Sequence, residues 1–139
     1  MNLLRSFIAL IAALSCVSCQ SSYTAVNVVM NKRECGGAFG MGLTFEQVPE
    51  IGEVFFVKKD NSRPKPVKVN DKGLLVLKGR RGRAEVFISE KISTKVEMQG
   101  PQCEQWRKTP DFVVLLKKGK HTQAVVIDVM CNPCLRPAP

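Results

Sequence analysis

Histidine, tyrosine and tryptophan each occur once in the 139 residues, and aromatic side chains make up only 6% of the chain. With a single imidazole, His121, no histidine-based metal quartet can be assembled, and a Ser/His/Asp nucleophile would have to run through that one residue. His121 closes the run Lys117-Lys118-Gly119-Lys120-His121, a Gly-centred basic turn in which the expected role is that of an exposed loop side chain. The shortage of aromatics also removes the stacking platforms on which single-stranded nucleic acid is held, so nucleic acid is not an expected partner.

Long apolar runs are missing as well. The densest, Phe7–Leu14, is too short to span a bilayer. Internal repeats and low-complexity tracts are absent, which leaves room for one ordinary domain. The glycine-rich stretch Gly36–Gly42 follows neither the spacing of a phosphate-cradling loop nor that of a dinucleotide fingerprint, and reads as a flexible loop or a bulged strand. Nothing marks any two of Glu34, Glu46, Glu50, Glu53, Glu85, Glu90, Glu97 and Glu104 as a catalytic carboxylate pair. The expectation is a protein that is not an enzyme and carries no cofactor and no metal.

What is present is strand patterning. Between Gly52 and Glu90 apolar residues alternate with period two, as strands with distinct faces require. In Glu53–Lys59, Phe55 and Val57 share one face and Val54 and Phe56 the other. Pro66–Asn70 places Val67 and Val69 together, Leu74–Leu77 is apolar on both faces, and Ala84–Ser89 sets Ala84, Val86 and Ile88 inward. The segments are separated by Asn61-Ser62-Arg63-Pro64, Asn70-Asp71-Lys72-Gly73 and Gly79–Gly82, whose residues suit tight turns. Further strands are expected at Tyr23–Asn31, Thr94–Gln99, Phe112–Lys117 and Gln123–Met130. A brief helix is expected over Pro101–Lys108 with proline at its first position. Thr44–Gln47 has capping-box spacing, but Pro49 stops a helix there, leaving a short connector. The predicted fold is all-β: one small sandwich of about seven or eight antiparallel strands.

Within this pattern, Pro66–Lys91 resembles the middle of a carboxypeptidase-regulatory-like domain, the transthyretin-like β-sandwich of bacterial envelope proteins. Asn70, Asp71 and Gly73 match the family's polar turn, and Gly79 and Gly82 its second turn. Arg81-Gly82 stands where the family has Pro-Gly, and Ala84 where it has an aromatic. The resemblance covers about a quarter of the chain, implies the sandwich and carries no functional residues.

The N-terminus has a different character. Residues 1–19 combine one cation, Arg5, an apolar run and the small-residue segment Leu14-Ser15-Cys16-Val17-Ser18-Cys19, and resemble a bacterial lipoprotein signal peptide. The lipid would be carried by Cys19, or by Cys16; ordinary signal cleavage near Ser18 is the alternative. A domain over 20–139 would follow in the periplasm, facing it from the outer membrane or released. Taking Cys19 as the lipidated residue leaves Cys35, Cys103, Cys131 and Cys134, an even set suited to two disulfides in an oxidising compartment. Of the three possible connectivities the expected one is Cys35 with Cys103, and Cys131 with Cys134 or left reduced. Cys131-Asn132-Pro133-Cys134 has the CxxC spacing of thiol oxidoreductases, but too few residues follow to form the helix that would activate the first thiol. It reads as a turn disulfide or as two halves of two separate bridges.

Charge is the remaining signal. Lys and Arg number 21 against 12 Asp and Glu, a net +9. The excess falls in three turns: Lys58, Lys59, Arg63 and Lys65; Lys78, Arg80, Arg81 and Arg83; Lys117, Lys118 and Lys120. Turns at one end of a sandwich converge into a basic patch that attracts polyanions, while solvated turn charge and protection of strand edges are the plainer reading. Trp106, beside Cys103, is read as a core anchor or a binding hot spot. The functional expectation is a non-catalytic envelope lipoprotein that binds through this surface, taking an envelope protein, anionic lipid or lipopolysaccharide head groups as partner. A thiol-dependent periplasmic protein using the CxxC pair, and an inhibitor or immunity-type protein, are the alternatives.

Overall fold

The computed structural model describes residues 21–35, 44–93 and 95–135. The expected signal segment with Cys16 and Cys19, and the Gly36–Gly42 loop, lie outside them.

Among the described residues, eight strands and two short helices run in the order β1 (Tyr23–Arg33), β2 (Thr44–Gln47), β3 (Val54–Lys59), β4 (Lys65–Lys68), β5 (Leu75–Lys78), β6 (Gly82–Ile88), α1 (Ser89–Ser93), α2 (Pro101–Lys108), β7 (Phe112–Leu116) and β8 (Lys120–Val129). They form a small all-β sandwich of two four-stranded sheets. One sheet has the order β4-β3-β6-β7, antiparallel throughout. The other is built on β1. Its first half pairs with β5 (Tyr23 with Lys78) and its second with β2 (Arg33 with Thr44), while β8 runs along its other side from Tyr23–Lys120 to Lys32–Val129.

The alternation decides which face is buried. Val26, Val28 and Met30 of β1, Leu75 and Leu77 of β5 and Ile127 of β8 meet Phe55, Val57, Ala84, Val86, Val114 and Leu116 of the facing sheet. Phe55 and Phe112 pack edge to face with centroids 6.3 Å apart, a favoured aromatic geometry. At about 25 cal/mol per Å² of apolar surface removed from water, this interior is the principal source of stability. The Asn70 turn forms as its residues dictate: the Asn70 side-chain carbonyl accepts the Lys72 and Leu74 amides, and Gly73 takes the positive φ of 73°.

Four expectations are corrected. The β1–β8 pair is parallel, because the β7–β8 turn carries the chain from one sheet to the other instead of closing a hairpin. Thr44–Gln47 is a strand, held as the edge partner of the second half of β1. Of the strand expected at Thr94–Gln99, the described residues 95–99 form none; the amides of Glu97 and Met98 both donate to the Cys134 carbonyl at 2.9 Å, and Met98 faces solvent. The disulfides join Cys35 to Cys131 and Cys103 to Cys134, not Cys35 to Cys103. Because β8 lies beside β1, its end arrives next to the end of β1, and Cys131 meets Cys35. Cys134, in the turn that Asn132 opens by accepting the Cys134 amide on its side-chain oxygen, then meets α2.

Candidate functional site: a basic pole where the chain enters the fold

The strand directions sort the molecule into two poles. At one, β1 begins, β3 ends and β4 begins, β5 ends and β6 begins, and β7 ends and β8 begins. The three basic turns are therefore neighbours. Lys78, Arg80, Arg81 and Arg83 from the β5–β6 turn, Lys117, Lys118 and Lys120 from the β7–β8 turn, and Lys58, Lys59, Arg63 and Lys65 from the β3–β4 hairpin share this end.

Close packing fixes the turns to one another. Gly79 has φ 151°, and a Cβ there would lie 3.0 Å from Leu116 Cδ1, so only glycine lets the β5–β6 turn press on the end of β7. The Lys59 ammonium donates to the Lys78 carbonyl, joining the sheets. Ser22 completes the arrangement. Its carbonyl accepts the Gly79 amide and its hydroxyl accepts the Gly119 amide, both at 3.0 Å, while the Tyr23 amide donates to the Gly119 carbonyl at 3.0 Å. The first described residues of the chain are thus clamped between two of the three basic turns. Lys120 extends over the Tyr23 ring, its ammonium 5.9 Å from the centroid, which keeps this cation at the same place.

Charge segregates along the same axis. The pole holds eleven Lys and Arg side chains against two carboxylates, Asp60 and Glu85. Glu85 is shared between Lys58 at 3.6 Å and Arg83 at 3.7 Å. The remaining described residues carry eight cations and ten carboxylates. The net positive charge of the described fold therefore belongs to one end. The side chains of Arg80, Arg81, Lys117 and Lys118 are exposed, and none of them has a carboxylate within ion-pair distance among the described residues.

Trp106 does not join this surface. It is half-buried on α2 against the core, at the pole that also holds both disulfides, with the Lys91 ammonium 5.4 Å from its ring. Lys91 itself is buried, 2.9 Å from Asp111 and donating to the Thr109 carbonyl at 2.8 Å. Asp111 in turn accepts the Ile88 amide at 2.8 Å, and Arg107 donates to the Lys91 carbonyl at 2.9 Å. This network docks α1 and α2 on the sandwich and explains the position of Trp106 as an anchor.

The other singled-out residues have structural surroundings. Cys131 and Cys134 are each bonded to a different distant cysteine, so the CxxC spacing is two halves of two bridges. One ring nitrogen of His121 donates to the Lys118 carbonyl at 2.9 Å and braces its own turn. Among the described residues no three His, Cys, Asp or Glu side chains cluster as metal ligands would. A shallow concavity lined by Lys32, Gln47, Glu50, Ile51, Gly52 and Glu53 lies at the pole remote from the basic turns. No helix among the described residues is long and apolar enough to cross a membrane.

The sequence matches no protein-family model and no curated protein. Sequence reasoning identified the cations but missed Ser22, whose role depends on two glycines 57 and 97 residues away. No local signal marks it.

Proposed function

We propose that the protein is an exported envelope lipoprotein, acylated on Cys19, that acts without catalysis as an accessory or binding module through its basic pole. The observation that carries this reading is the segregation of eleven cations against two carboxylates at the end where the chain enters the fold. A surface of one sign focuses its field and recruits ligands of the other sign.

The plainer reading joins solvated turn charge to edge protection, and edge protection accounts for only part of the pattern. Among the described edge strands, β4 carries Lys65, Pro66 and Lys68, a guarded edge. The long edge strand β8 has no Lys or Arg after Lys120, and β7 has none, although Val126 and Leu115 are 66% and 60% exposed there. Beyond the basic pole itself, β7 and β8 carry no Lys or Arg along their edges. Two disulfides are compatible with an oxidising, exported location.

The test is retention on a phosphate-bearing polyanion matrix. Arg80→Glu with Arg81→Glu is expected to lower the salt needed for elution while leaving the thermal midpoint within about 2 °C, since surface substitutions stay within about 0.5 kcal/mol. Unchanged retention in a folded double variant would overturn the reading. Mass spectrometry of the mature N-terminus separately checks the acylated Cys19.

A further inference from the structure

Resting on that reading, we infer that the basic pole seats on anionic phospholipid head groups of the same bilayer that holds the anchor, so that the domain stands on end with its disulfide pole outward. Ser22 is fixed by hydrogen bonds to both the Gly79 and Gly119 turns. Cys19 precedes it by three residues, which even fully extended span only about 10 Å. A lipid on Cys19 would therefore be attached within that reach of two of the three basic turns, and would hold them about 10 Å from the head groups, close to one Debye length.

That distance selects the ligand. A gap of about 10 Å is too thin to admit a folded partner, because a domain of about 100 residues has a radius of gyration near 13 Å. Head groups already fill it. Multiple exposed Lys and Arg side chains, each worth about a fivefold gain in partitioning at an anionic surface, suit a ligand that is itself a charged plane. Exposed Leu115 lies directly opposite Arg83 on the outer face beside this pole, where an apolar side chain meets the interface without desolvating a charge.

The experiment uses the oxidised chain beginning at Ser21, which contains both sheets, both disulfides and every core residue named above but no acylated cysteine. Sedimentation with vesicles of phosphatidylcholine containing about one third phosphatidylglycerol is compared with phosphatidylcholine alone. The expected result is pelleting only with the anionic vesicles, lost on raising salt, and at least about tenfold weaker in Arg80→Glu/Arg81→Glu. Lys117→Glu/Lys118→Glu, on the neighbouring turn, gives the same weakening and serves if the first variant does not fold. The single Trp106, at the far pole, remains unquenched by bromine-labelled acyl chains in bound protein. Equal binding to both vesicles, binding indifferent to both charge reversals, or quenching of Trp106 overturns the inference. If polyanion retention responds to the substitutions and vesicles do not bind, the inference falls and the basic-surface reading stands. If neither responds, both fall.

Discussion

The hydroxyl of Ser22 accepts a hydrogen bond from the Gly119 amide at 3.0 Å, across 97 residues of sequence. It holds the entrance of the chain to the β7–β8 turn, and the neighbouring Ser22 carbonyl holds the β5–β6 turn through Gly79. Ser22→Ala keeps the second bond and deletes the first. It is expected to cost about 1 kcal/mol in urea unfolding, with the Gly119 amide losing hydrogen-exchange protection while the Gly79 amide keeps it. Equal loss at both amides would show that Ser22 is not the clasp.

Gly79→Ala probes the same pole from the other side. A residue with a Cβ is strained at φ 151°, and the new methyl would sit 3.0 Å from Leu116 Cδ1. The expected cost is about 1–3 kcal/mol. The substituted turn is also expected to bind polyanion more weakly, because Arg80 and Arg81 no longer rest beside the end of β7. Gly119→Ala, whose Cβ would meet nothing nearer than the His121 ring at 3.8 Å, should leave the packing undisturbed and lose only its backbone preference.

Removing one member of the buried Lys91–Asp111 pair strands the other. Their side chains are 5% and 7% exposed, so solvent screens little of the penalty. Lys91→Met is expected to destabilise by about 3–5 kcal/mol, the range for an uncompensated buried charge, and to loosen α1 and α2 together. Lys91→Met combined with Asp111→Asn should recover part of this loss. Chemical unfolding of both variants decides it, and a double variant no better than the single would count against an unpaired carboxylate as the cause.

Thr24 is fully buried, and its Oγ1 has no hydrogen-bond partner among the described residues. Thr24→Val keeps the branched shape that suits β1 and removes a desolvated hydroxyl. The expected result is a gain of about 1 kcal/mol and a thermal midpoint higher by a few degrees. A lower midpoint would mean that the hydroxyl is satisfied in solution.

The bridges close loops of different length. Cys35–Cys131 spans 96 residues and Cys103–Cys134 spans 31. On the chain-entropy account, deleting the first pair as a double serine variant costs about 4–5 kcal/mol and the second about 3–4. Peptide mapping of the oxidised protein should recover these two linkages, and a Cys131–Cys134 linkage would refute the fold at its C-terminal end.

The sequence by itself determined the elements whose cause is local. Period-two alternation assigned Ala84, Val86 and Ile88 of β6 to the buried face and put Phe55 and Val57 of β3 on one side, because a strand's side chains alternate whatever it pairs with; which side of β3 and β5 is buried was left to the packing. Asn70–Gly73 specified its turn through its own side chain and a positive φ, and Pro101 opened α2 where its missing amide costs nothing. The cations of the site were legible as residues, but not as a surface.

Only the tertiary structure decided what depends on the path of the chain. Val96 and Met98 alternate as well as any strand does, yet the turn at Cys134 takes the backbone amides of that segment. Thr44–Gln47 carries a helix-start spacing and becomes a strand because the second half of β1 offers an open edge. The parallel course of β8, and with it the cysteine partners, follows from a turn that crosses between sheets. The same crossing draws three basic turns and Ser22 to one end. Alternation and turn chemistry act over a few residues and leave long-range pairing open; packing two sheets on one core selects among the pairings, and here that choice also builds the candidate site.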